Sequence, residues 1–407
     1  MAMDIINKFF HIKPNHRLTR ILVCLTIAVG VTLRFYAMSR GHNFDFDSYK
    51  IVGDIVVNGG NVYGETARYN YGPVWMGVLG IFREIGLIFS NPDFVFRVLI
   101  VTLLTAVDLS IAFILKKKFG LVSFILFFLN PISIVISGYH NQFDNLALLI
   151  GLCGLLVMPK DTTLKVERRH VYAAALIGLS LMTKHIFFML PVWLFIRGKS
   201  LKVKMFMSIV PLAIFAVSFL PFWPTGHEGI VQNVFLYKSF ANAPLINSIL
   251  SADLVAFINP MTVLIVALSV AGFLTRKQPV LESGLWYLVV LVVFSPAVAN
   301  QYLAIAMPAI IAFGVLFFVP FIGLATLLLI GTSLEGLNMQ KIVRHIPEYI
   351  KPYISPDGYG GQYKFIIFYL FVGMILAAIY RYRREWYVRP LRALRAVISE
   401  QSSTLKK

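Results

Sequence analysis

Apolar runs follow one another along almost the whole chain, separated by short polar breaks. Candidate bilayer-crossing segments lie near residues 21–39, 94–115, 121–137, 145–158, 171–183, 186–197, 203–222, 258–275, 283–295, 302–318, 320–333 and 364–380. A crossing helix needs roughly 20 mostly apolar residues, fewer where neighbours shield its ends. Several of these runs are shorter, and breakers such as Asn130-Pro131 and Pro191 sit in or beside them. Irregular backbone at membrane depth is tolerated only where protein or a water-filled cavity covers it. The pattern therefore predicts a helical bundle around a cavity. Composition removes the alternatives. Of 407 residues, 58% are apolar and 14% charged, against about 25% charged in a soluble domain. A soluble fold must also present a polar shell. A soluble enzyme, a nucleic-acid-binding domain and a disordered chain are excluded. The expected fold is all-α, a polytopic integral membrane protein with about 12 transmembrane helices.

Basic residues set the expected orientation. The net charge is +18, and in a membrane chain the first use of Lys and Arg is topology. The stretch from Pro73 to Phe89 is apolar but carries Arg83 and Glu84. If it crosses, Lys116, Lys117 and Lys118 fall outside and the later loops invert. If it lies flat on the outer surface, the cytoplasmic segments hold 25 of the 37 bases and 6 of the 19 acids, while the outer side holds 12 of each. The second arrangement follows the positive-inside rule. Both termini are expected to be cytoplasmic, with residues 40–93 forming a long first outer loop that contains a surface-lying helix. The basic C-terminal tail, Arg381 to Arg395, is expected on the inner membrane face among anionic lipids. Cys24 and Cys153 lie in apolar runs without a CxxC spacing. The N-terminal run from Ile21 to about Met38 is too long for the apolar core of a cleavable signal.

Polar residues concentrate where the chain reaches the expected outer boundary. The first outer loop opens His42-Asn-Phe-Asp45-Phe-Asp47-Ser-Tyr49. Aromatic neighbours place its two carboxylates near a partly desolvated surface, where a carboxylate pKa rises toward that of a useful base. Asp45 and Asp47 are also the candidate ligands for a divalent cation, Mg²⁺ or Mn²⁺. The same loop holds Arg68-Tyr-Asn-Tyr71-Gly-Pro73, an aromatic turn suited to framing a sugar ring. Between two short spans comes Tyr139-His140-Asn-Gln142-Phe-Asp144, rich in groups that hydrogen-bond hydroxyls. Thr183-Lys184-His185 joins two apolar halves. Its cation fits either a phosphate or a snorkelling contact with outer headgroups. Lys238 is a second candidate phosphate ligand, and Asn300-Gln301-Tyr302 a third polar interruption. Asp108 lies deep in its run, where a structural hydrogen bond to a neighbouring helix is expected. Arg97 shares a helix face with it about three turns away, out of reach. An outer loop at 334–363 carries Arg344, His345 and Gly358-Tyr-Gly-Gly361.

In their order these features resemble the glycosyltransferase-C superfamily, membrane-embedded enzymes that use polyprenyl-phosphate sugars. The chain looks most like the dolichyl-phosphate-glucose-dependent glucosyltransferases and their bacterial relatives. Asp45-Phe46 matches the family's acidic-aromatic motif, and Tyr71-Gly72-Pro73 its Tyr-x-Pro turn heading a surface helix. Asn130-Pro131 with His140-Asn-Gln142-Phe143 matches its helix break, and Lys184-His185 its Lys-His junction. The likeness covers roughly residues 30–320. It divides the chain into a catalytic membrane module, 1–320, and a C-terminal portion, 321–407, holding the last spans, the 334–363 loop and the basic tail. Two features depart from the family. Asn300-Gln301-Tyr302 stands where eukaryotic members carry a His-Glu-Lys-like cluster, and Tyr-Gly-Pro replaces Tyr-Pro-Pro.

The resemblance implies an inverting hexosyltransferase, a glucosyl- or mannosyltransferase of cell-envelope glycan synthesis, working on the extracytoplasmic face. Its partners would be a polyprenyl-phosphate sugar donor, a glycan or glycolipid acceptor and membrane lipids, with no nucleic acid. Asp45 would be the general base, with Asp47 as the alternative. Lys184, His185 and Lys238 would bind the donor phosphate. Tyr71, His140, Gln142, Asp144, Gln301 and Tyr302 would contact sugar or acceptor. The rival class is a secondary transporter or flippase, since broken helices and intramembrane charge also mark transporters. Many of those have paired, similarly interrupted halves, whereas this chain has one acidic outer loop, near its N-terminus.

Overall fold

The computed structural model describes residues 16–159, 164–198, 200–237, 242–255, 257–333 and 363–383. Every regular element among them is helical. The architecture rests on α1 (His16–Ser39), α2 (Phe44–Val57), α3 (Pro73–Leu87), α4 (Pro92–Phe119), α5 (Leu121–Phe128), α6 (Pro131–Gly138), α7 (Asp144–Val157) and α8 (Arg168–Thr183). It continues with α9 (Leu190–Arg197), α10 (Leu201–Val217), α11 (Pro260–Thr275), α12 (Val280–Val293), α13 (Asn300–Phe313), α14 (Val319–Ser333) and α15 (Tyr363–Arg383). Most of the 334–363 outer loop, the tail beyond residue 383 and Lys238 lie outside the described residues.

Among the described residues, five helical stretches are long and apolar enough to cross a membrane: His16–Ser39, Pro92–Phe119, Leu201–Phe235, Val315–Ser333 and Tyr363–Arg383. A sixth arises if α5 and α6, bent by 48° at their break, count as one span. The helices α7, α11, α12 and α13 are apolar but shorter. The chain is thus a multi-pass, all-helical membrane protein, and a count of twelve requires the shorter segments to cross as well.

Three helix starts repeat one local device. Asn91-Pro92, Asn130-Pro131 and Asn259-Pro260 each place Pro in the first turn, where its missing N–H costs nothing. Each asparagine side chain accepts a backbone N–H of the first turn, from Phe94, Ile132 and Met261.

The break between α5 and α6 frees carbonyls in the middle of an apolar region, and protein covers them. Fully buried Arg34 of α1 donates to the Phe128 carbonyl at 3.0 Å and to that of Gly30 at 3.1 Å. Its guanidinium also pairs with Asp108 of α4 at 2.9 Å. Asp108 takes further hydrogen bonds from Ser137 at 2.5 Å and Asn145 at 2.6 Å. The structural role expected for Asp108 is therefore present, and its principal partner is Arg34. One knot ties α1, α4, α6 and α7 together.

One apolar core runs through the bundle and takes in residues on both sides of position 320, among them Phe127, Tyr287, Phe313, Phe321 and Ile366. A second core, with Tyr49, Trp75, Phe96, Phe143 and Phe219, seats the 40–93 loop on α4 and on the segment just after α10. Arg83 of α3 pins that loop by bonding Asp54 at 2.6 Å and Asp93 at 2.7 Å. Helix α3, 15 residues long, is not among the helices that meet the crossing test. It buries Trp75, Met76 and Leu79 and leaves Ile81, Ile85 and Leu87 exposed.

Candidate active site

The start of α2 presents the acidic pair. Asn43 caps the helix by accepting the Asp45 N–H at 3.2 Å, and its amide donates back to Asp45 Oδ2 at 2.6 Å. Asp45 and Asp47 are two residues apart in the first turn, so about 200° of rotation separates them. They do not present a shared face, so the pair is a poor chelate for Mg²⁺ or Mn²⁺. Gln142 Nε2 donates to the same Asp45 oxygen. Among the described residues no hydrogen bond joins Asp47 to this cluster. Burial raises the Asp45 pKa above the ordinary carboxylate value, and the nearby Asp144 carboxylate adds to the rise. The Asn43 hydrogen bond, the Lys184 charge and the Gln142 hydrogen bond oppose it.

The second wall comes from the turn between α6 and α7. Asn141 adopts a left-handed conformation at φ 57°, a region that asparagine tolerates better than most residues. Its side chain donates to the carbonyls of Ser137 and Gly138, closing the end of α6. The reversal delivers Gln142, Phe143 and Asp144 in succession. Phe143 stacks on Trp75 at 4.3 Å and meets Tyr71 edge-on at 4.8 Å.

The third wall is the end of α8. Lys184 is 9% exposed and pairs with Asp144 at 2.7 Å. Its ammonium also lies 4.8 Å from the centre of the Tyr71 ring and 4.9 Å from that of Phe143, within cation–π range. Gly72 makes this approach feasible. A Cβ there would lie 2.0 Å from the Met182 carbonyl oxygen, so the turn carrying Tyr71 packs directly on the strand of chain leading to Lys184. Proline at position 72 would not fit that contact.

The structure thus brings together Asp45, Gln142, Asp144, Lys184 and Tyr71. Tyr302 joins them from α13, within electrostatic reach of Lys184 and Asp144, as does Tyr237 through Tyr71 and Tyr302. His185 follows Lys184 and is partly buried, with its buried Nδ1 unpartnered among the described residues. His140 turns elsewhere: its Nε2 meets Ser333 Oγ of α14 at 2.6 Å. Among the described residues no hydrogen bond ties Gln301 to the cluster. The aromatic box and the Asn43 cap were not singled out from the sequence, although the Asn before Phe-Asp carries a capping signal.

Several buried polar atoms here have no hydrogen-bond partner among the described residues: Gln142 Oε1, Asp144 Oδ1, His185 Nδ1 and Tyr49 OH. Buried groups of this kind are costly unless a polar ligand or ordered water meets them. A carboxylate with a raised pKa faces a nearly buried cation across an amide and aromatic rings. That arrangement can remove a proton at one point and offset negative charge at another. No protein-family model, curated protein or solved structure matches this chain.

Proposed function

We propose that this protein is an integral-membrane inverting glycosyltransferase of the glycosyltransferase-C type. It would move a hexose from a polyprenyl-phosphate donor to a hydroxyl of a lipid-linked glycan, glycolipid or related acceptor. The observation that carries the reading is the gathering of Asp45 and Lys184 into one cluster, Asp45 held by Gln142 and Lys184 by Asp144, assembled from the loop motifs quoted above. The acceptor oxygen attacks the anomeric carbon, and its proton passes to Asp45. The carbon–oxygen bond to phosphate breaks, its electron pair leaves on the polyprenyl phosphate, and Lys184 stabilises the developing charge. One in-line displacement inverts the carbon. Gln142 fixes the Asp45 carboxylate, and Tyr71 and Tyr302 flank the sugar. No step is routed through a metal.

Lys184 is held by Asp144 in the structure, so the donor phosphate would share that cation with a carboxylate rather than meet it free. The site would face the extracytoplasmic side, with both termini cytoplasmic, twelve crossings in all and α3 lying in the outer interface on its exposed isoleucines. The test is to incubate the purified protein with radiolabelled polyprenyl-phosphate sugars and an acceptor lipid extract. Release of polyprenyl phosphate with transfer of label supports the transferase. Movement of intact lipid-linked sugar across a vesicle, with no bond cleaved, would establish the flippase reading instead.

A further inference from the structure

A cleft of about 340 Å³ opens between residues 63–67 of the first outer loop and residues 224–233 beyond α10. That volume lies in the range of about 300–1,000 Å³ typical of small-molecule sites. Its polar lining includes Glu65, Thr66, Thr225, His227, Glu228, Gln232 and Asn233.

The two walls are locked together. Asn61 Nδ2 donates to the Phe222 carbonyl at 2.8 Å and to Thr225 Oγ1 at 2.7 Å. Gly229 sits so close to the opposite wall that a Cβ would lie 1.7 Å from the Tyr63 carbonyl oxygen. Glu65 is itself anchored, accepting the Asn61 N–H at 2.7 Å. An independent observation concerns the backbone. Residues Ile230–Phe235, which carry Gln232 and Asn233, form a π-helix. Such turns are rare and concentrate at functional sites.

The lining selects its ligand. Among the described residues no Lys or Arg lines it, and its two carboxylates, Glu65 and Glu228, repel a phosphate or carboxylate. Two carboxylates, two amides, an imidazole and two threonine hydroxyls instead give a dense set of acceptors and donors for hydroxyl groups. Among the described residues no group of three His, Cys, Asp or Glu side chains is placed to hold a metal ion, so Glu65, His227 and Glu228 are not a cation cage. Trp223, 45% exposed, flanks the cleft beside His227 and offers an aromatic face. Tyr63 links the cleft to the cluster, since it lines the cleft and donates its hydroxyl to the Tyr71 carbonyl at 3.0 Å.

We infer that this cleft binds neutral sugar units of the acceptor glycan, beyond the hydroxyl that is glycosylated. The inference rests on the transferase reading above for the word acceptor, and on the cleft alone for the word sugar. It gives the enzyme a means of choosing acceptors by the glycan they already carry.

The test is photo-crosslinking of the full chain in lipid nanodiscs with neutral glucose- and mannose-based trisaccharides bearing a diazirine, followed by peptide mapping. Label is expected on residues 63–67 or 224–233, suppressed by excess free trisaccharide but not by an equal excess of glucose 6-phosphate. Gln232→Ala with Glu228→Gln should weaken labelling about tenfold, the loss expected for hydrogen bonds that include a charged acceptor. The competition arm on the unmodified protein stands even if that variant fails to fold. Label elsewhere, or equal competition by the sugar phosphate, overturns the inference. Polyprenyl-phosphate release by the unmodified protein is measured in parallel. Release with an unlabelled cleft sinks the cleft alone. A labelled cleft without release leaves a carbohydrate site and removes its assignment to an acceptor.

Discussion

Asp45→Asn removes one proton acceptor while leaving its surroundings almost unchanged. Asparagine keeps an oxygen able to accept from the Asn43 amide at 2.6 Å and from Gln142 Nε2. What is lost is a negative charge in the first turn of α2, worth about 0.3–1 kcal/mol against the helix dipole. Relief from ionising a buried carboxylate works in the opposite direction, because burial is the main cause of its raised pKa. The stability change should therefore stay within about 1 kcal/mol, near the centre of the distribution for point substitutions. Loss of a general base costs about 10²–10⁴-fold in rate, or about 2.7–5.5 kcal/mol of barrier, so the kinetic effect should dominate. The assay is release of radiolabelled polyprenyl phosphate at saturating donor, with donor affinity and thermal unfolding followed on the same preparations. Turnover should collapse while donor binding and folding persist, and Asp47→Asn should do much less. In the unmodified protein a general base at Asp45 would work only when ionised, so the proposed activity should fall as pH drops through the Asp45 pKa. Because that pKa is raised, the acid limb should lie above the ordinary carboxylate range of about 4, and Asp45→Asn should abolish the limb along with the rate. Normal turnover by Asp45→Asn with a dead Asp47→Asn would mean the wrong carboxylate in the right loop. Full activity in both would remove the first outer loop from catalysis.

Lys184→Ala should weaken donor binding and also destabilise the fold by about 3–5 kcal/mol, because it strands the buried Asp144 carboxylate. Lys184→Arg, which keeps the charge, should recover stability and part of the affinity in a donor-binding titration; equal donor affinity in all three proteins would reduce Lys184 to a structural cation. Asp108→Ala leaves Arg34 buried and uncompensated, so thermal unfolding in detergent should show a loss of about 3–5 kcal/mol, while the double substitution Arg34→Leu with Asp108→Leu recovers much of it. For the topology, a cysteine at exposed Glu84 should react with a membrane-impermeant thiol reagent in sealed, right-side-out vesicles and one at exposed Lys165 should not; labelling of both would overturn the assigned orientation.

The helical class was legible because apolar residues fill the sequence faster than any soluble surface can absorb them. The number of crossings was less so. Hydropathy marks apolar segments, but it does not say whether a stretch like α7 or α12, 14 residues each, crosses fully or stops inside the bundle. The Asn-Pro steps illustrate a related ambiguity. Asn130-Pro131 reads as a break in an apolar run, yet it is equally a well-capped helix start, as Asn91-Pro92 and Asn259-Pro260 also are. Both descriptions hold at once, and only the Arg34 guanidinium on the Phe128 carbonyl shows how the break is tolerated.

At the site, the residues that could be read were those at helix ends, where polar groups meet a boundary: Asp45, Tyr71, Gln142 and Lys184. Their pairings were not legible, since contacts between residues 40 or 193 positions apart depend on how each helix is rotated about its axis. That rotation sends His140 to Ser333 while its near neighbour Asp144 goes to Lys184. One long-range pairing that the sequence reading left unnamed, Arg34 with Asp108, had a signal that could have restricted it. An arginine in the run 21–39 and an aspartate in the run 94–115 are each too costly to bury alone. Arg97 lies on the same helix as Asp108 at a distance that forbids contact. Arg34, a cation inside an apolar run, is the candidate that this charge argument would have raised, and the structure shows that it is the partner. Intramembrane charge is thus the one polar feature whose partner a sequence can restrict, because the penalty for leaving it unpaired exceeds the gain from almost any other arrangement.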